Sequence, residues 1–267
     1  MRKGRDIIVY AADLNKGGVA PISLGYDDLL PFNDQLSNLK GDKLDFILET
    51  PGGSGEVAED IVRLVRKKYN DVTFIIPGTA KSAGTIMAMS GDDIMMEQMS
   101  SLGPIDAQLS TTQGKRFSAE AFLKGIERIK SESVDHLNKA YLPILQGISP
   151  GEIESAQNSL NFAKVLVTDW LAKYKFKNWT HHSSTGMEVT TAERNQRANE
   201  IASLLCKHEH WFSHGRSIKI EDFIAMRLKI TDYSDDLDFA DAIRRYHILM
   251  QMTFTHSNVY KITETIT

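Results

Sequence analysis

Two stretches of this chain hold the residue types that acyl transfer uses. One is Pro51-Gly52-Gly53-Ser54-Gly55, the other Lys81-Ser82-Ala83-Gly84-Thr85. Gly52 and Gly53 lack a Cβ, so their backbone N–H groups can approach a ligand closely and reach positive φ. Such groups can stabilise an oxyanion. Ser82 precedes an apolar run that starts a helix, where unpaired N–H groups point outward, and Ala83 and Gly84 leave room for a substrate. A serine nucleophile, the amide that follows it and a facing glycine amide would together make an acyl-transfer site. Each stretch also has a plainer reading. Pro-Gly-Gly-Ser-Gly is a turn by composition, and a serine ahead of a helix is usually its N-cap. The glycine run is not a phosphate loop, because no Gly-Lys-Ser/Thr ending follows it.

The placement of the two stretches favours the chemical reading. Ile7–Ala12, Leu44–Thr50 and Val72–Pro77 are short apolar runs that predict strands. Glu56–Tyr69 has helical periodicity, with acidic residues first and Arg66, Lys67 and Lys68 last, as the helix dipole favours. Ala83–Ser90 begins a second helix, and Ile94–Glu97 and Ser101–Ile105 are further strand candidates. This order predicts an α/β fold with a mostly parallel sheet. A right-handed crossover then sets both loops at the carboxyl ends of neighbouring strands, the edge where open α/β sheets build their sites.

From about residue 116 the pattern turns helical. Phe117–Gln146, Pro150–Tyr174 and Thr190–Lys207 are expected helices, with Ser149 and Pro150 as N-cap and first helical residue of the second. A shorter helix is expected near Glu221–Leu228, and Thr253–Thr267 reads as a peripheral extended arm. The expected organisation is an α/β core over residues 1–115, completed by a mainly helical part over 116–267.

Composition narrows the classes. A net charge of −4 lacks the basic footprint of a nucleic-acid binder, so no nucleic-acid partner is expected. Cys206 is the single cysteine, which excludes an intrachain disulfide and fits a reducing compartment. The N-terminal MRKGRDIIVYAAD has no signal-peptide apolar region, and no apolar run approaches the ~18 residues of a membrane span. A cytoplasmic protein without an integral membrane segment is expected.

LETPGGSGEVAEDIVRLVR, IIPGTAKSAGTIMAMSGDDIMM and SSLGPIDAQL, in that order and spacing, resemble the ClpP/crotonase superfold. More specifically they resemble the serine dehydrogenase proteinase family, related to Clp-protease subunits and signal peptide peptidase A. The resemblance implies a ClpP-like βαβ spiral core with an α-helical C-terminal half. It also implies a serine peptidase acting on a peptide or protein through an acyl-enzyme, and a homo-oligomer. Ser82 matches the nucleophile, Asp106 the acid and His214, ahead of Glu221 and Asp222, the base. Gly52 and Gly53, chiefly Gly53, and Ala83 match the oxyanion hole. The sequence supplies no role for Lys81. No nucleotide or metal cofactor is required by this chemistry.

Rival readings remain. A serine–lysine dyad, as in signal peptide peptidase A, would use Lys115, Lys124 or Lys130, buried enough to lose its proton. Cys206, His210 and His214 fall on one face if a helix continues through them, a zinc-capable set. His136, His181, His182 and His256 read as polar or peripheral, and His247 as a core residue. A crotonase-type acyl-CoA enzyme would use the oxyanion hole without a nucleophile, but an obvious basic cluster for nucleotide phosphates is missing. A non-catalytic scaffold would keep the fold and leave Ser82 unreactive.

Overall fold

The computed structural model describes residues 2–110, 115–134, 136 and 138–266. In chain order it contains β1 (Asp6–Ala12), α1 (Leu29–Asn38), β2 (Lys43–Glu49), α2 (Gly55–Lys68), β3 (Asp71–Ile75), β4 (Thr79–Ala80), α3 (Ala83–Ala88), β5 (Asp93–Met96) and β6 (Ser101–Leu102). Then come β7 (Gln108–Ser110), β8 (Arg116–Ser118), α4 (Ala119–Glu132), α5 (Leu142–Gln146), α6 (Pro150–Trp170), α7 (Thr191–Cys206) and α8 (His208–Trp211). The chain finishes with α9 (Ile220–Ala225), β9 (Thr231–Asp232), α10 (Leu237–His256) and β10 (Lys261–Ile266).

The main sheet has the order β10-β1-β2-β3-β5-β9. All neighbours are parallel except β10 on β1. Both faces are covered, so the strands read as continuous apolar runs. Ile8, Tyr10, Phe46, Leu48, Phe74 and Ile94 pack on the face that carries α1, α2 and α3. Ile7, Val9, Ile47, Ile75 and Met95 pack on the opposite face, under Phe239, Ile243, Met250 and Phe254 of α10. The two sets alternate because successive strand side chains leave opposite faces.

The crossover from β2 through α2 to β3 sets the site's frame. Ser54 caps α2, its Oγ accepting from Val57 N–H at 3.1 Å. The helix buries Val57, Ala58, Ile61, Val62 and Val65 as one stripe. β4 and β6 form a small second layer, joined to β2 by a bridge from Thr50 to Ala80 and to the later chain by one from Leu102 to Ile218.

Two expectations of the sequence differ from the structure. The helix expected over Phe117–Gln146 is shorter and starts later. Phe117 pairs with Leu109 in the β7–β8 hairpin, Ser118 caps α4, and Asn138 caps a fresh turn before α5. The tail is not a peripheral arm. Helix α10 runs through Thr253 to His256, and β10 pairs along the length of β1. Lys16 Nζ fixes the turn between them, donating to Phe254 O at 2.6 Å, Ser257 O at 2.9 Å and Val259 O at 2.8 Å.

Gly125 lies inside α4, and a Cβ there would meet nothing within 4 Å. Gly125→Ala is therefore expected to stabilise the protein by about 0.5–1 kcal/mol, seen as a raised urea midpoint at unchanged m-value.

Candidate active site

Ser82 stands between β4 and α3 with φ 49° and ψ −114°. A non-glycine residue held there carries about 1–3 kcal/mol of strain. An N-cap serine has extended backbone and bonds its own helix, as Ser54 and Ser118 do. Ser82 does neither. The turn is held by its neighbours: Lys81 N–H donates to Thr50 O at 3.0 Å, Gly84 N–H to Lys81 O at 2.8 Å, and Thr85 Oγ1 to Ala80 O at 2.9 Å.

The glycine loop packs directly on that turn. Gly52 has φ 100°, and a Cβ on it would lie 2.7 Å from Lys81 O and 2.7 Å from Ser82 Cβ. Gly53 has φ 152°, and a Cβ there would enter the Leu24 backbone. Leu24 bridges this loop, donating to Gly52 O at 2.8 Å and accepting from Ser54 N–H at 3.0 Å. The Gly52 N–H donates to Thr50 Oγ1 at 3.1 Å, a bond within the loop's own turn. The N–H groups of Gly53 and Ala83 meet no acceptor among the described residues, and both residues line the same cavity as Ser82.

Asp106 follows β6 on the Leu102-Gly103-Pro104-Ile105 run, and its side chain is fully buried. Gly103 N–H donates to Thr85 Oγ1 at 2.9 Å and Ile105 N–H to Leu205 O at 3.0 Å, which fixes the run to α3 and α7. Asp106 Oδ1 pairs with His214 Nδ1 at 2.6 Å. Oδ2 pairs with His208 Nδ1 at 2.9 Å and accepts from Gln108 Nε2 at 2.8 Å. Burial pushes the Asp106 carboxyl up, but the hydrogen bonds and charges of His214 and His208 outweigh it and hold it below the usual carboxylate range.

His214 lies beyond α8. The helix breaks at Lys207 between α7 and α8, and Phe212 turns left-handed at φ 61°. Trp211, buried, donates its indole N–H to Leu204 O at 2.8 Å. Ile218, on the far side of the loop, pairs with Leu102. The loop is thus anchored at both ends, and the His214 ring lines the cavity with Ser82, Gly53 and Ala83. No hydrogen bond joins His214 to Ser82 among the described residues. Catalytic bonds in unliganded sites are often long and tighten with substrate.

The cavity has a volume of about 1000 Å³. One wall comes from α6, through Glu154, Asn158 and Phe162. Phe162 also covers Gly55 at the start of α2.

Lys124 pairs with Glu120 at 2.6 Å and Glu209 at 2.7 Å, and Lys130 with Glu127 at 3.5 Å. Neither lines the cavity. Lys115 is exposed ahead of β8. The break at Lys207 takes Cys206, His210 and His214 off any single helix, and no metal-ligating group of three or more occurs among the described residues. Burial pushes the Cys206 thiol up to about 12, so it is an inert core group. His247 is not a plain core residue, since it pairs with the buried Glu49 at 2.7 Å. His136 is exposed beyond the end of α4. His181 bonds Thr180, His182 pairs with Glu193, and His256 ends α10.

His208, Gln108 and Thr85 did not emerge from the sequence. His208 has no local motif, and its tie to Asp106 spans 102 residues. The one signal was Thr85 itself, a hydroxyl inside an otherwise apolar helical run.

A parallel sheet with two strand-to-helix loops converging at its edge defines a ClpP-like α/β protein. The chain matches the family model described as ClpP-like SDH-type serine proteinase over residues 37–189, and it belongs to that family. The matched span contains the glycine loop, Ser82 and Asp106, but neither His208 nor His214. The chain is 28% identical over 151 residues to the uncharacterized protein MJ0137 of Methanocaldococcus jannaschii, covering 53% of this chain and 49% of that one. A second protein of that organism, MJ1495, is 30% identical over 91 residues, covering 34% and 31%. The chain thus spans half or less of the length of these relatives. Among solved structures it is similar to a mutant of the 1510-N membrane-bound stomatin-specific protease. That match has a TM-score of 0.43 and 14% identity, covering 78% of this chain and 74% of the other. Among the described residues no helix is long and apolar enough to cross a membrane.

Proposed function

We propose that this chain is a serine peptidase that forms an acyl-enzyme on Ser82. The observation that carries the reading is the His214 imidazole, tied through Nδ1 to the buried Asp106 and facing the cavity that Ser82 opens into. With Nδ1–H donating to the carboxylate, Nε2 carries the lone pair that accepts a proton. Ser82 Oγ attacks the peptide carbonyl carbon as its proton passes to His214 Nε2. The oxyanion that forms is held by the Gly53 and Ala83 N–H groups, which meet no acceptor among the described residues. The C–N bond breaks and His214 returns the proton to the leaving amine. Water then attacks the Ser82 ester, with His214 again taking and returning a proton, and the C–O bond to Ser82 breaks. Asp106 keeps the imidazole in the required tautomer and stabilises its cation.

Closed homo-oligomers are part of this reading, supported by Ile248, Leu249 and Met252, which leave an exposed apolar face on α10. A fluorophosphonate tests the chemistry. It should add to Ser82 of the wild-type chain, located by peptide mass spectrometry, and not to Ser82→Ala. A folded wild-type protein that stays unlabelled would support the scaffold reading instead.

A further inference from the structure

Lys81 precedes Ser82, and its side chain runs across Gly103, where a Cβ would come within 2.6 Å of Lys81 Cδ. Its Nζ donates to Leu102 O at 2.9 Å, Arg216 O at 3.0 Å and Ser217 Oγ at 3.0 Å. An ammonium has three N–H groups, and each finds an acceptor. No carboxylate among the described residues pairs with it. The acceptors belong to the other two segments of the site: Leu102 begins the run to Asp106, and Arg216 and Ser217 follow His214. Lys219 is the charged group that faces Lys81. It is itself occupied, donating to Gln98 O at 3.2 Å, Met99 O at 3.1 Å and Ser100 O at 2.8 Å.

Resting on the reading of Ser82, Asp106 and His214 given above, we propose that Lys81 is a positioning residue whose ammonium ties the Asp106 run and the His214 loop to the turn that carries Ser82. Three loops from distant parts of the sequence must hold their mutual distances to within a fraction of an ångström for proton transfer and attack to be concerted. Lys81 is one side chain that touches all three segments. It sits outside the cavity lining.

The tie has a pH signature. A neutral amine has two N–H groups and no charge, so deprotonation removes one bond and weakens the other two. Burial, reinforced by Lys219, pushes the Lys81 ammonium down to about 8 from its ordinary 10.5. Turnover is therefore expected to fall as pH rises through about 8. Stability moves the other way. Between about 8 and 10.5 the unfolded chain binds more protons at this residue than the folded one, so the Lys81 contribution to stability rises with pH. A role in folding alone predicts a gain over the interval in which the positioning role predicts a loss of turnover.

The test compares the full chain with Lys81→Met and Ser217→Ala. It measures kcat and KM on a peptide substrate from pH 6 to 10, and amide hydrogen exchange at residues 213–218. The wild type should lose kcat above pH about 8 at steady KM. Lys81→Met should have kcat about tenfold lower at pH 7 and lack that alkaline loss, with Arg216 and Ile218 amides exchanging about tenfold faster. Ser217→Ala, a change at an exposed position, should show smaller shifts in the same direction. Wild-type kcat, alkaline limb and exchange in Lys81→Met would overturn the proposal. If Lys81→Met does not fold, unchanged kcat and exchange in Ser217→Ala overturn it. If the wild type neither hydrolyses peptide nor takes a fluorophosphonate, the reading of Ser82 fails, and the exchange comparison still decides whether Lys81 holds the loop.

Discussion

His214→Ala is expected to lower kcat for peptide hydrolysis by about 10³–10⁴ while leaving the protein folded, because the general base is lost and the oxyanion donors remain. The fold should survive because Asp106 keeps His208 and Gln108 on its second oxygen. The buried carboxylate is thus not left without partners, the situation that destabilises most. The loss should fall on kcat more than on KM, since the imidazole acts on the proton in flight rather than on substrate already bound. His208→Ala makes the useful comparison. It removes the other imidazole from the same carboxylate, yet that ring does not line the cavity, so its effect on kcat should be far smaller. Single-turnover acylation in both variants, measured with an activated ester, checks this. Acylation at the wild-type rate in His214→Ala would remove the triad and return the base to a lysine.

The second large effect is expected from Gly53→Ala. The methyl group would enter the Leu24 backbone at a φ of 152° that side-chain-bearing residues rarely adopt. The loop must then shift away from Leu24, and the Gly53 N–H shifts with it. Loss of one oxyanion donor lowers kcat by about 10²–10³, and the displaced Leu24 bridge adds a loss of stability. Gly55→Ala provides the control. Its Cβ would touch only the Phe162 ring, at 3.0 Å, a flexible group that can move aside. That variant should keep most of its activity. Equal losses in both variants, or wild-type kcat in Gly53→Ala, would contradict the assigned donor.

The parts of the site that lie in one stretch of chain were legible from the sequence. Pro51–Gly55 and Lys81–Thr85 announce themselves through runs of small residues, and the crossover between them follows from the stripe of Val57, Ile61 and Val65. Strands β1, β2, β3 and β5 were legible for the same reason, since each is a short apolar run between turns. What depends on tertiary distance was not. His214 came only from a family likeness, and nothing local marks His208 as a partner of Asp106. Gly53 stood ahead of Gly52 only through the family likeness, and the Thr50 hydroxyl that engages the Gly52 N–H was not legible in the sequence. Lys81 had no role until the later chain was in place, because two of its three acceptors lie 135 and 136 residues away. The C-terminal strand was misread because Thr263, Glu264 and Thr265 are polar in a row, which breaks a strand's alternation, and its pairing partner is the first strand of the chain.

The most direct measurement is the crystal structure of the chain with a peptidyl fluorophosphonate bonded to Ser82 Oγ. The account predicts the phosphoryl oxygen about 3 Å from both the Gly53 and Ala83 nitrogens. His214 should face the adduct through Nε2, and its Nδ1 should remain on Asp106. A phosphoryl oxygen turned away from these amides, or a lysine ammonium rather than the imidazole against Ser82 Oγ, would contradict it.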